Sequence, residues 1–459
     1  LRAAAVLFNS YEYLCYFLPA AIVGYFLLAR SVAGATLWLV AASLFFYAWW
    51  DVRNLPLILA SIAVNFVVGR RLQAGAGRGL LAVGVAANLV ALGVFKYAAF
   101  FTQNVAAITG LPLPVVRIEL PLGISFFTFT QIAYLVDCHR RRATEPSLPQ
   151  YALFVSFFPH LISGPILHHA EMMPQFASPT NKAPRWDNLS AGLFLLAIGL
   201  CKKVLVADNL APIADAGFGH AGALSVAGAW TAALAYALQI YFDFSGYTDM
   251  ALGAARMFNI RMPINFDSPY RALSLRDFWR RWHMTLSRFL RDYLYVPLGG
   301  DRGGFGRTIA NLMVTFVLGG LWHGAAWTFV AWGALHGMGM VVVRAWQRAG
   351  LRLPVALAWA VTFAFVLVTW VFFRATSMAD AMAMVRAMSG LGTDAGAVPS
   401  SADLRLLAAA FAITLLPLNS NALTERFTPA LWRAVTVGVA VFACLLQLGK
   451  VTPFLYFNF

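Results

Sequence analysis

Charge is what this sequence has least of. Of its 459 residues only 12% are Asp, Glu, Lys or Arg, while 60% are hydrophobic, and the mean hydropathy is +0.70. A soluble domain carries about a quarter charged residues; half of that leaves too little polar surface to coat a globule, so lipid must solvate much of the chain. Acidic residues are scarcer than basic ones, 19 against 34, for a net charge of +15. Such an excess can signal nucleic acid. Here the basic residues sit in short segments between apolar runs, as in cytoplasmic loops under the positive-inside rule, and no nucleic-acid partner is expected. Cysteine is nearly missing: Cys15, Cys138, Cys201 and Cys444 are scattered, with no CxxC pair, which supports neither a disulfide framework nor a zinc site. The sequence also has no P-loop and no dinucleotide fingerprint, no GxSxG elbow in a strand–helix setting, and no internal repeat of the kind that builds many transporters.

What is there is a succession of apolar runs. A membrane-crossing helix needs about 20 mostly apolar residues, and candidates lie at 11–29, 33–50, 55–69, 80–101, 119–136, 151–167, 189–206, 226–258, 308–343, 353–373, 403–418 and 429–448. The first is read as a transmembrane helix rather than a signal peptide. The stretches 226–258 and 308–343 exceed one span, so each is expected to be two short helices or a span plus a re-entrant piece. The expectation is an all-α integral membrane protein of roughly 11–13 transmembrane and re-entrant helices, organised as one membrane domain over 1–459. Arg30, then Arg70, Arg71 and Arg78, then Arg140, Arg141 and Arg142, and later Arg344, Arg348 and Arg352 mark cytoplasmic loops. Alternation then puts both termini and the loops 51–54 and 374–402 outside. Two segments break the pattern: a polar linker at 168–188, and 259–307, read as a cytoplasmic or interfacial segment.

Within that segment, Ser274 to Leu294 reads as one amphipathic helix. Ser274 and Asp277 resemble a helix-start capping pair. Leu275, Phe278, Trp279, Trp282, Leu286, Phe289, Leu290 and Tyr293 recur at three- and four-residue steps, which suits a helix lying in the interface. His283 follows Trp279 by four residues and so shares the apolar face. It is either a core histidine bonded to a backbone carbonyl or a functional group. The arginines, Arg280 among them, are either a solvated edge or ligands for the phosphates of an acyl donor.

His323 lies deeper, inside the apolar stretch 311–340 with Gly319, Gly320 and Gly324 around it. An ionisable residue in a membrane segment is costly and points to function, and the glycines allow close backbone approach beside the imidazole. His336 is read as structural. A third polar knot, Gln239 to Asp249, holds Asp243, Ser245, Tyr247, Thr248 and Asp249 in apolar surroundings. Buried carboxylates need partners: they either clamp Arg or His residues of 259–307 or line a polar substrate cavity. Coupled with Arg280, Asp243 and Asp249 also permit a transporter or flippase reading. His168, His169 and Glu171 lack metal-site spacing, and no metal is expected.

The landmarks FNSYEYL at Phe8, FKYAAFF at Phe95, LPLGISFFTFTQIAYLVD at Leu120, FVSFFPHLISGPI at Phe154, CKKVLVADNLAPIAD at Cys201, LQIYFDFSGYTDMA at Leu238, FWRRWHMTLSRFLRDYLYVPLGG at Phe278 and GGLWHGAAWTFVAWGALHG at Gly319 run through most of the chain. Together they resemble the membrane-bound O-acyltransferase family, specifically its bacterial alginate O-acetyltransferase type. The resemblance implies a ring of tilted helices around a central tunnel, with the family's invariant histidine at His323 and a second polar position at His283. It also implies a multi-pass enzyme of the bacterial inner membrane. Such an enzyme moves acetyl from cytoplasmic acetyl-CoA, its donor and not a bound cofactor, to an extracytoplasmic acceptor protein or polysaccharide. On this reading His323 is the general base, His283 orients the donor or stabilises the oxyanion, and Trp279, Arg280, Trp282, Trp322, Asp243, Ser245, Tyr247 and Asp249 line the substrate path. D-alanyl transfer to a cell-wall polymer is the alternative cargo.

Overall fold

In hydrocarbon every backbone N–H and C=O must be satisfied within the protein, and a helix does so within one segment. The computed structural model describes residues 7–114, 118–145, 147–162, 164–392, 399–448 and 454–455, and among them there are helices and no strand. Ser163 of the FVSFFPHLISGPI landmark and 393–398 of the loop expected outside lie beyond the described residues. The first half of the chain forms α1 (Leu18–Leu28), α2 (Val32–Trp50), α3 (Leu55–Gln73), α4 (Arg78–Thr109), α5 (Ile124–His139), α6 (Leu148–Ser156), α7 (Phe158–Leu161), α8 (His169–Ala177), α9 (Trp186–Cys201) and α10 (Asp208–Gly219). There follow α11 (Val226–Met257), α12 (Leu275–Arg281), α13 (Met284–Leu290), α14 (Phe305–His323), α15 (Trp327–Arg348), α16 (Val355–Arg374), α17 (Met378–Arg386), α18 (Ser401–Thr414), α19 (Ser420–Glu425) and α20 (Leu431–Leu445).

Among the described residues seven helical stretches are long and apolar enough to cross a bilayer: Val32–Trp50, Val52–Gln73, Arg78–Thr109, Trp186–Gly219, Phe305–His323, Trp327–Arg348 and Val355–Arg374. Glu12–Leu28 and Leu431–Leu445 are shorter apolar helices. The chain is therefore an all-α, multi-pass membrane protein. The long run 308–343 resolves into α14 and α15. By contrast 226–258 is neither a pair of short helices nor a span with a re-entrant piece: α11 continues unbroken for 32 residues. The expected span at 151–167 is not one helix either: α6 ends at Ser156, Phe157 leaves the helical region at ψ 107°, and α7 restarts at Phe158 with Pro159 in its first turn, where the missing N–H costs no intrahelical bond.

Two compact units emerge. The first comprises Leu1–Leu200, Tyr247–Ile264 and Leu423–Gly449, the second Cys201–Gly246, Asn265–Ala422 and Lys450–Phe459. In the first, rings of Phe8, Tyr13, Phe17, Phe46 and Phe158 pack together, and Asn65 and Asn88 exchange hydrogen bonds of 3.2 and 2.7 Å between α3 and α4, which satisfies two amides in apolar surroundings. His169 lies 3.3 Å from Glu145. In the second, α14 and α15 form a hairpin turning at residues 324–326, and α16 packs on α15.

Candidate active site

His323 is the last residue of α14, where Gly324 takes an extended backbone and ends the helix. The hairpin is tight because of glycine: a Cβ on Gly320 would collide with the carbonyl oxygen of Phe329, and one on Gly333 with that of Phe316. These small residues serve helix–helix approach, and at Gly320 the close backbone approach is that of α15. The His323 side chain is 3% exposed. Its ring meets Trp322 at 5.0 Å, Trp332 at 5.1 Å and Phe373 at 5.1 Å between centroids, each near edge-on. Edge-to-face contact of this kind fixes a ring's plane.

His283 does not continue a helix. The single helix expected over 274–294 starts as foreseen, with Ser274 Oγ accepting from Asp277 N–H at 3.1 Å, and then breaks at Trp282 and His283. His283 sits in the left-handed region at φ 41°, ψ 54°, so it no longer shares a helical face with Trp279. No proline or glycine causes the break. Asn265, fully buried, holds it: its carbonyl accepts from Met284 N–H at 3.0 Å, and its Oδ1 accepts from Thr285 N–H at 3.2 Å and Thr285 Oγ1 at 2.7 Å. The first turn of α13 is thereby capped from outside its own strand of sequence.

The His283 imidazole is completely buried, and neither ring nitrogen has a hydrogen-bond partner among the described residues. Burial pushes its pKa down to about 3, because a charged ring would lose its hydration. What touches it is aromatic: Phe244 at 4.8 Å, edge-on, and Trp322 at 6.2 Å. Trp322 is thus shared by both histidines. A third imidazole extends the series, since Trp332 also meets His336 at 4.7 Å. His336 Nδ1 accepts from Trp279 Nε1–H at 3.2 Å, while its Nε2 has no partner among the described residues.

The remaining sequence candidates scatter. Trp282 turns away from the histidines into a cluster with Phe266 at 5.0 Å and Trp370 at 4.9 Å. Arg280 is exposed on α12. Asp243 does not clamp an Arg or His of 259–307: its Oδ1 lies 2.7 Å from Lys203 Nζ, itself 2.8 Å from Asp208, and its Oδ2 accepts from Leu455 N–H at 2.9 Å. Ser245 is buried with no partner for its hydroxyl among the described residues. Tyr247 and Asp249 fall in the first unit, where Tyr247 donates to Asn9 Oδ1 at 2.6 Å and Asp249 is buried. Sequence reasoning missed Asn265, Lys203, Phe244, Trp332 and Phe373. Only Lys203, a cation in an apolar run, carried a signal of its own.

Many apolar helices, with two buried histidines gathered on one tryptophan, define a multi-pass membrane protein. Residues 84–379 match the membrane-bound O-acyltransferase family, and the chain belongs to that family. It is an O-acyltransferase. A peptidoglycan O-acetyltransferase of Helicobacter pylori is 46% identical over 427 residues, 85% of this chain and 81% of the relative. A probable alginate O-acetylase of Azotobacter vinelandii is 42% identical over 407 residues, 84% and 79% of the two chains. A teichoic acid D-alanyltransferase of Streptococcus thermophilus is 29% identical over 265 residues, 52% of this chain and 62% of the relative.

Proposed function

We propose that the chain, in the bacterial inner membrane, takes acetyl from cytoplasmic acetyl-CoA and delivers it to a hydroxyl of an extracytoplasmic glycan, directly or through an acceptor protein. The observation that carries this is the pair His323 and His283 around Trp322, buried in unit two of a family whose relatives acetylate peptidoglycan or alginate by name. In the reaction the acceptor oxygen attacks the thioester carbonyl while His323 takes its proton. The C–O bond forms, the C–S bond breaks, and the proton passes from His323 to the departing thiolate. General-base help of this kind contributes about 10²–10⁴-fold. His283, neutral because of its burial, has one N–H to offer the developing oxyanion; such a donor contributes about 3–4 kcal/mol elsewhere. A route through an acetyl-histidine uses the same residues.

The test is replacement of His323 by Ala, with the exported polymer analysed by mild alkaline release of acetate and by mass spectrometry. The expected result is a normally folded, membrane-inserted protein and no polymer acetate; undiminished acetate would remove the assignment. The D-alanyltransferase relative motivates one second reading, an alanyl cargo, and the same spectra distinguish an added acetyl from an added alanyl mass.

A further inference from the structure

At the opposite end of α14 from His323 the second unit holds a cavity of about 380 Å³, lined by Asp301, Phe305, Thr308, Arg344, Gln347 and Arg348. Arg276 reaches it as well, its Nη1 3.5 Å from Gln347 Oε1. Three guanidinium groups from α12 and α15 therefore meet one carboxylate. That carboxylate is already engaged: Asp301 lies 2.9 Å from Arg344 Nη2 and accepts from Tyr295 OH at 2.6 Å. Arg276 acts on the same Asp301 carboxylate without a close ion pair, and Arg348 has no carboxylate within ion-pair distance among the described residues. Arg348 rests its guanidinium on the Phe305 ring at 5.3 Å, which holds the planar fork in place. The positive-inside rule assigns this end of α15 to the cytoplasm. The glycine preceding α14 offers no side-chain cap, which adds a favourable partial charge beside the arginines.

A surplus of planar, forked cations around an open cavity fits phosphate oxygens better than any other common anion. We propose that this cavity binds the phosphate groups of a ligand, supplied either by the nucleotide of a CoA thioester or by the head group of an anionic phospholipid. The first source rests on the donor proposed above; the second does not. α14 rises about 28 Å from the cavity to His323, of the same order as an extended CoA thioester.

The test uses the full chain in nanodiscs, wild type and the double variant Arg344→Gln/Arg348→Gln, with Arg344→Lys/Arg348→Lys as the charge-preserving control. One arm titrates desulfo-CoA in phosphatidylcholine discs; the other measures phosphatidylglycerol retained by native mass spectrometry. The expected result is desulfo-CoA binding weakened by about tenfold or more in the Gln variant and partly restored by Lys. Loss confined to retained phosphatidylglycerol supports the site with lipid as the source. Wild-type binding in both arms that the Gln variant leaves unchanged overturns the cavity, whatever His323→Ala does to transfer. Wild type that takes no desulfo-CoA refutes the donor and leaves the cavity to be decided by the lipid arm. Unchanged elution volume and thermal midpoint confirm that the substitutions leave the fold intact.

Discussion

A histidine in left-handed backbone costs on the order of 1–3 kcal/mol, and His283 bears that cost while its ring makes no hydrogen bond among the described residues. The compensation is local: Asn265 fastens both the main chain and Thr285 immediately after the corner. The buried ring also links stability to pH. In the unfolded chain a histidine takes up its proton near 6.5; folded His283 does so only near 3. Between those values the unfolded state binds more protons, so the stability owed to the neutral ring is complete above about 6.5 and is lost as pH falls toward 3. His160, lowered to about 4 by burial and partly offset by its bond to Phe154 O at 2.9 Å, acts in the same direction. Thermal midpoints of His283→Gln should therefore fall less steeply than wild type between pH 6.5 and 4, with a residual slope. Equal slopes would contradict the buried, neutral assignment.

His323 was legible in the sequence because an ionisable residue in an apolar run stands out without any knowledge of its neighbours. His283 was legible as a candidate, yet its conformation was not: nothing near Trp282 breaks a helix, and the cause lies at Asn265. Asp243 gave the need for a partner and not its identity, since Lys203 arrives from another helix.

At the scale of elements, the α14–α15 hairpin depends on backbone contact at Gly320, whereas a Cβ on Gly319 meets only the movable Cδ1 of Leu290. Gly320→Ala should cost about 1–3 kcal/mol through overpacking and should also reduce transfer by shifting His323, while Gly319→Ala should be nearly neutral in both thermal midpoint and activity. Lys203, between Asp208 and Asp243, joins the α9–α10 run to α11. Removing one partner of a buried ion pair costs about 3–5 kcal/mol. Lys203→Met, which removes the cation shared by two carboxylates, should destabilise more than Asp243→Asn, which leaves Lys203 with Asp208. Residual folded Asp243→Asn should retain transfer that His323→Ala lacks; the reverse order would favour a charge-coupled transporter. Helix identity was well read where apolar periodicity ran long, and poorly at 151–167, where the backbone leaves the helix at Phe157 inside an apolar stretch that hydropathy sees as continuous.

For the molecule as a whole, hydropathy and the scarcity of charge established the solvent, and loop arginines set an orientation. That orientation has a direct check: with Cys15 replaced by Ser, a cysteine introduced at exposed Arg348 should react with a membrane-impermeant maleimide only after the membrane is opened. Labelling in intact spheroplasts would invert the topology and with it the side proposed for the donor.

The corner at His283 has a consequence for how this stretch can change over time. Its two adjacent aromatic rings point to different destinations, Trp282 to Phe266 and Trp370, His283 to Phe244 and Trp322. Adding one residue between Asn265 and the corner would deliver the Trp282 indole where the imidazole belongs, and deleting one would deliver the Met284 thioether. Substitutions can accumulate here one at a time, but length cannot drift, and sequence variants of this enzyme should carry their insertions elsewhere.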